Sequence, residues 1–113
     1  SYERAVLGLR PLKLEEKLSA AASGHSADMA QMGFFSHTSP VPGKKSFTDR
    51  ARRAGFRGGP SGECIAAGQG SFSSAYGSWF YSDGHRHIML AKGPNVLGFG
   101  AASKHWTLVT GRL

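Results

Sequence analysis

The stretch LSAAASGHSADMAQMGFFSHTSP, residues 18–40, decides how the chain is read. Together with Leu14, its residues Leu18, Ala21, Ala22, His25, Met29 and Met32 recur at spacings of three and four, one apolar stripe on a helix. The spacing predicts a helix from Leu14 to Met32, with Pro11 in the turn before it and Gly33 as its stop. His25 falls on the inward stripe, where a histidine is expected to be a hydrogen-bonded core residue. Beyond Gly33 the two prolines and the glycine of FFSHTSPVPGKK break regular structure. Phe34 and Phe35 are expected to anchor this loop, leaving Ser36, His37 and Thr38 presented on it.

Downstream, Ser46 reads as the N-cap of a short helix, Phe47 to Ala54, ended by Gly55. Phe47, Ala51 and Ala54 form its buried side, and Asp49, Arg50, Arg52 and Arg53 its solvated side. Arg57 to Ser61 reads as a turn. ECIAA, residues 63–67, reads as a short buried strand or extended segment closed by Gly68 and Gly70. Ser71 to Ser82 is helical in pattern, Gly84 breaks it, and a second helical turn carries His85 to Leu90. Val96 to Ala101 and Trp106 to Thr110 are strand-like, and the short Ser103-Lys104 link between them predicts a β-hairpin. Helices followed by an antiparallel pair, with one extended segment midway, make an α+β layered arrangement rather than repeated βαβ units.

The chain has 113 residues, enough for one domain, read here as residues 1–113. Sixteen glycines argue against a plain helical bundle. A single cysteine, Cys64, rules out an internal disulfide. Fourteen Lys and Arg against seven Asp and Glu give a formal charge of +7, which favours an anionic partner. Six of the basic residues lie between Lys44 and Arg57 and are expected on a solvated helix face with its flanking turns. The opening residues SYERAVLGLR show no signal-peptide pattern, and the abrupt start suggests one module of a longer protein. No apolar run approaches the roughly 20 residues of a membrane span.

The polar residues define a candidate cleft. Glu63 stands between Gly62 and an apolar run, and a carboxylate entering a buried segment needs a cation, a protonated histidine or several donors. His37 on its loop and His85 after Gly84 are the imidazoles that can converge on it. Two imidazoles and a carboxylate suit a divalent metal such as zinc, with His37, His85 and Glu63 as ligands. They equally suit a hydrogen-bonded structural cluster. His105 at the hairpin and His87 are expected to be exposed. The sequence has no HExxH motif, no paired CxxC, no GxSxG elbow and no glycine-rich phosphate loop. Cys64, next to Glu63, is expected on the opposite side of an extended strand as a small core residue.

Four segments together resemble the CAP superfamily of cysteine-rich secretory, antigen 5 and pathogenesis-related proteins, and most closely its bacterial SCP-like branch, which lacks disulfides. They are the helix and FSHTSP loop of residues 18–40; SGECIAAG, residues 61–68, with Cys64 where asparagine is usual; WFYSDGHRHIML, residues 79–90; and NVLGFGAA with HWTLVTG. The resemblance implies a three-layer α-β-α sandwich around a small, mainly antiparallel sheet. It implies a cleft in which His37, Glu63 and His85 match three of four gathered residues, while Ser82 takes the place of a glutamate. Loss of that anionic ligand argues against strong metal binding. It also implies a secreted or cell-envelope location, and a place for His25 near the cleft but not in it.

On function, the expectation is a non-enzymatic extracellular binding domain whose cleft holds a divalent metal or small ligand. Its basic region would face anionic cell-envelope polymer or lipid head groups. The alternative is a metal- or histidine-dependent hydrolase, a peptidase, in which His37 or His85 acts as base, Glu63 orients it, and Ser82 or water attacks. A nucleic-acid role rests on charge alone.

Overall fold

The computed structural model describes Arg4, residues 7–9 and residues 11–113. The predicted opening helix is there but shorter: α1 runs Glu16–Met32, and Gly33 closes it in the left-handed conformation at φ 72°. Leu14 is not on its stripe. It belongs to a two-residue strand, β1 (Lys13–Leu14), too short for any period to reveal, and is exposed. Met32, at the last position of α1, is also exposed, whereas Leu18, Ala21, Ala22, His25, Ser26 and Met29 are buried.

Helix α2 (Phe47–Arg53) begins with a capping box in which the Ser46 hydroxyl accepts from the Asp49 N–H and the Asp49 carboxylate accepts from the Ser46 N–H. Strand β2 spans Gly59–Ala67, so the turn expected from Arg57 to Ser61 is half strand. Pro60 is tolerated because β2 is an edge strand and its register with β4 shifts between Pro60 and Gly62. Helices α3 (Phe72–Phe80) and α4 (Asp83–Met89) follow. Strands β3 (Val96–Ala102) and β4 (His105–Arg112) form the expected hairpin around Ser103 and Lys104, both at positive φ. The sheet order is β1-β3-β4-β2, antiparallel except for the parallel β1–β3 pair.

Alternation along β2 and β4 sends side chains to two cores. Val109 joins Leu18, Ala22, Ala51, Phe56 and Val96 beneath α1 and α2. Leu108, one residue away, joins Cys64, Ala66, Ala75, Trp79 and Met89 beneath α3 and α4. Helices thus cover both faces of the sheet, giving the three-layer α-β-α sandwich. Cys64 is fully buried on the α3/α4 side, and burial pushes its thiol up to about 12, so it stays protonated. Trp79 is tied to the same layer by its indole N–H, which donates to the Ile65 carbonyl at 2.9 Å.

Candidate functional site

Glu63 and Cys64 point to opposite faces of β2, as strand alternation requires. Glu63 is opposite Val109 in register and enters the α1/α2 layer, where its side chain is 1% exposed. The buried carboxylate finds its cation in Arg50, whose Nη2 lies 2.9 and 2.8 Å from the two carboxylate oxygens. Arg50 is itself buried, and its Nη1 donates to the carbonyls of Lys44 and Lys45. The expectation that Arg50 lies on a solvated face is therefore wrong. Positions 47, 50, 51 and 54 lie on one arc of a helix, and that spacing was the signal placing Arg50 inward with Phe47, Ala51 and Ala54.

His37 completes the arrangement. Its Nδ1 lies 2.8 Å from Glu63 Oε1. A carboxylate held by a guanidinium only accepts, so a ring hydrogen sits on Nδ1, and in the neutral ring Nε2 then carries the free lone pair. The His37 side chain is 52% exposed, so that lone pair is offered to solvent and ligands.

The loop that presents His37 is built locally. His25 Nε2 donates to the Ser36 carbonyl at 2.9 Å, which anchors the loop to α1 one residue before His37. The Thr38 N–H donates to Ser36 Oγ, and the Val41 N–H to Ser39 Oγ. Phe34 packs against the His25 ring, but Phe35 is exposed and does not anchor the loop as expected. His25 is thus the hydrogen-bonded core histidine that the helix stripe predicts. Its Nδ1 is buried and has no hydrogen-bond partner among the described residues.

His85 arrives on α4, which packs along β2: a side chain on Gly62 would meet Ile88, and the Cys64 thiol donates to the His85 carbonyl at 3.9 Å. Ser82, the N-cap of α4, makes no backbone cap. Its hydroxyl instead lies 3.1 Å from His85 Nδ1 and fixes the ring. Two side-chain hydrogen bonds thus join the four candidate residues in pairs, His37 with Glu63 and Ser82 with His85. His87 is exposed as expected, while His105 is only half-exposed, its Nδ1 donating to the Ser103 carbonyl.

Burial and, secondarily, the nearby His37 lower the His85 pKa. For His25, burial and then Arg50 lower it. Both rings therefore stay neutral to a lower pH in the native state than in the unfolded chain, which takes up protons as the pH falls through the ordinary histidine value of 6.5. From these two rings, stability is expected to be fully present above that value and to fall as pH drops below it. Urea midpoints at about pH 7.5 and about pH 5.5 check this, because Asp and Glu side chains titrate mostly at lower pH. An unchanged midpoint would contradict it.

The sequence profile of the cysteine-rich secretory protein family (CAP) matches residues 1–108. The uncharacterized protein YkwD of Bacillus subtilis (strain 168) is 35% identical over 109 residues, covering 93% of this chain and 41% of its own. The uncharacterized membrane protein YlbC of the same organism is 33% identical over 100 residues, covering 88% of this chain and 28% of its own. The chain thus spans less than half the length of either relative. Among solved structures, an extracellular protein containing a SCP domain from Bacillus anthracis str. Ames superposes with a TM-score of 0.92 at 32% identity, over 98% of this chain and 37% of that one. An outer surface protein from Borrelia burgdorferi superposes with a TM-score of 0.83 at 15% identity, over 98% of this chain and 84% of that one, a likeness of fold alone. No helix among the described residues is long and apolar enough to cross a membrane.

Proposed function

Because the chain belongs to the cysteine-rich secretory protein family, we propose that it is an extracellular binding domain, not itself an enzyme, whose His37–His85 cleft takes a divalent metal ion or a small polar ligand. The extracellular part of this reading is supported by the likeness to the Bacillus anthracis extracellular protein. The cleft part is carried by one observation: a buried Arg50–Glu63 pair holds His37 in the tautomer that leaves Nε2 bare.

The donor set limits which groups fit. Both Glu63 oxygens are engaged by Arg50 and one also by His37, so Glu63 acts as the orienting partner rather than a ligand. Among the described residues, no three His, Cys, Asp or Glu side chains gather as a metal-holding group. The fit is therefore for a weakly held ion on the imidazoles of His37 and His85, its other positions filled by water or ligand atoms. A metal such as zinc would supply Lewis-acid polarisation of a bound oxygen there. Arg50 and Glu63 hold the His37 ring in place, and Ser82 holds that of His85.

The test is zinc titration calorimetry on wild type, His37→Ala and His85→Ala. Binding in the wild type, lost in both variants, is the expected result; wild-type binding that survives either substitution would refute a shared site. The Ser82–His85 contact at 3.1 Å gives the hydrolase reading its foothold, with Ser82 as nucleophile and His85 as base. Metal-independent peptide cleavage that disappears in Ser82→Ala would favour that reading instead.

A further inference from the structure

The positive charge of the Lys44–Arg57 stretch is not spread evenly over the surface. A pocket of about 140 Å³ opens between α1 and α2, floored by Ala20, Ala21, Gly24 and Ala54 and walled by Lys44 and Arg53. Arg50 and His25 close its inner end, so no acidic residue lines it. Such a volume exceeds the roughly 30 Å³ share of one water and leaves room for a small polyatomic group.

Glycines shape the walls. The Lys44 ammonium lies over Gly24, 4.0 Å from where a Cβ would stand. Gly43, at φ +80°, leaves room for Arg53, whose Nη1 would be only 2.8 Å from a Cβ there. Lys44 is paired with Asp28 at 3.0 Å and Arg50 with Glu63, whereas Arg53 has no ion pair among the described residues. The same stretch of chain adds exposed Lys45, Arg52 and Arg57, and its one acid, Asp49, is engaged in the α2 cap.

We propose that this pocket and its rim are the docking site for an anionic polymer of phosphodiester units, one phosphate seated between Arg53 and Lys44 and its neighbours lying along the rim. Concavity and charge favour a phosphate-bearing chain. A bilayer or a nucleic acid would want something else on this face. None of the large exposed hydrophobic residues lines the pocket, so it offers neither a wedge for lipid nor an aromatic platform for bases. Arg50 is shared with the cleft, but docking here stands whether or not a metal binds there.

The experiment measures binding of poly(glycerol phosphate), of anionic phosphatidylglycerol vesicles and of single-stranded DNA to the folded chain. The polymer is expected to bind, with affinity falling on the order of tenfold or more between about 50 and about 200 mM salt. Arg52→Gln/Arg53→Gln is expected to weaken it about tenfold. Lys92→Gln/Lys104→Gln removes the same charge from exposed positions elsewhere and is expected to change it less than about twofold. Equal losses in the two double variants would reduce the effect to net charge and overturn the site. Tighter binding of vesicles or DNA than of the polymer would overturn the assigned partner. A failure of zinc to bind the cleft leaves each of these outcomes unaltered.

Discussion

Arg50→Ala is expected to remove about 3–5 kcal/mol of folding stability, the cost of breaking a buried ion pair from one side. The side chains of Arg50 and Glu63 are 3% and 1% exposed, so the carboxylate cannot recover its lost partner from water. Only the contact from His37 Nδ1 would remain to it, and the carbonyls of Lys44 and Lys45 would each lose a donor. Equilibrium urea unfolding measures the loss. The double replacement Arg50→Met/Glu63→Leu is expected to recover much of it, because an apolar pair removes both desolvation penalties at once. That double variant would also separate stability from site geometry, since His37 would lose the group that fixes its ring. A single variant within about 1 kcal/mol of wild type would mean that the pair is far better hydrated than its burial implies.

The second large effect is expected at the contact between α1 and β3. A Cβ on Gly98 would stand 2.1 Å from the Leu18 carbonyl carbon and 2.2 Å from the Ser19 nitrogen; one on Gly100 would stand 2.3 Å from the Ser23 nitrogen. The obstacles are helix backbone, which cannot swing aside as a side-chain tip can. Gly98→Ala or Gly100→Ala must push α1 off the sheet, reopening the layer that holds Leu18, Ala22 and Val109. Each is expected to cost about 3 kcal/mol or more, at the upper end of overpacking effects. Gly77→Ala is the matching control. It sits within α3 with nothing within 4 Å of the new methyl, and should stabilise by about 0.5–1 kcal/mol through helix propensity. Thermal or urea unfolding of the three variants checks the ranking, and a harmless Gly98→Ala would show that α1 can slide on the sheet.

The layered α+β fold was legible because its long elements carry clean periods and clear punctuation. The α1 stripe, the Ser46 cap and the Ser103-Lys104 turn each have a local cause that a sequence displays. The strand β1 was missed because two exposed residues have no period, and it forms only because β3 offers a parallel edge. Pro60 concealed the start of β2, since a proline argues against a strand until the edge position and the register shift are known. Among the site residues, His37, Glu63 and His85 were identifiable as chemistry without a visible arrangement, and Ser82 only through the family resemblance. Arg50 was hidden by company: amid five other basic residues it looked like surface, although its helical spacing with Phe47, Ala51 and Ala54 and the need of a buried carboxylate for a cation both pointed inward. The basic pocket was not legible at all, because it is made by two helices and by glycines that let long side chains fold over them.

The packing of α1 also sets a timetable for folding. Ser26 meets Thr107 at 2.7 Å, and the Phe99 N–H donates to Ser19 Oγ, contacts that close loops of about eighty residues. During synthesis α1 therefore has no sheet to lie on until the β3–β4 hairpin has emerged. Until then its apolar stripe is bare, and the nascent chain depends on a chaperone or on speed. Shortening the chain from its C-terminal end by a single strand would strand the helix permanently, so early termination should yield aggregates rather than a smaller domain.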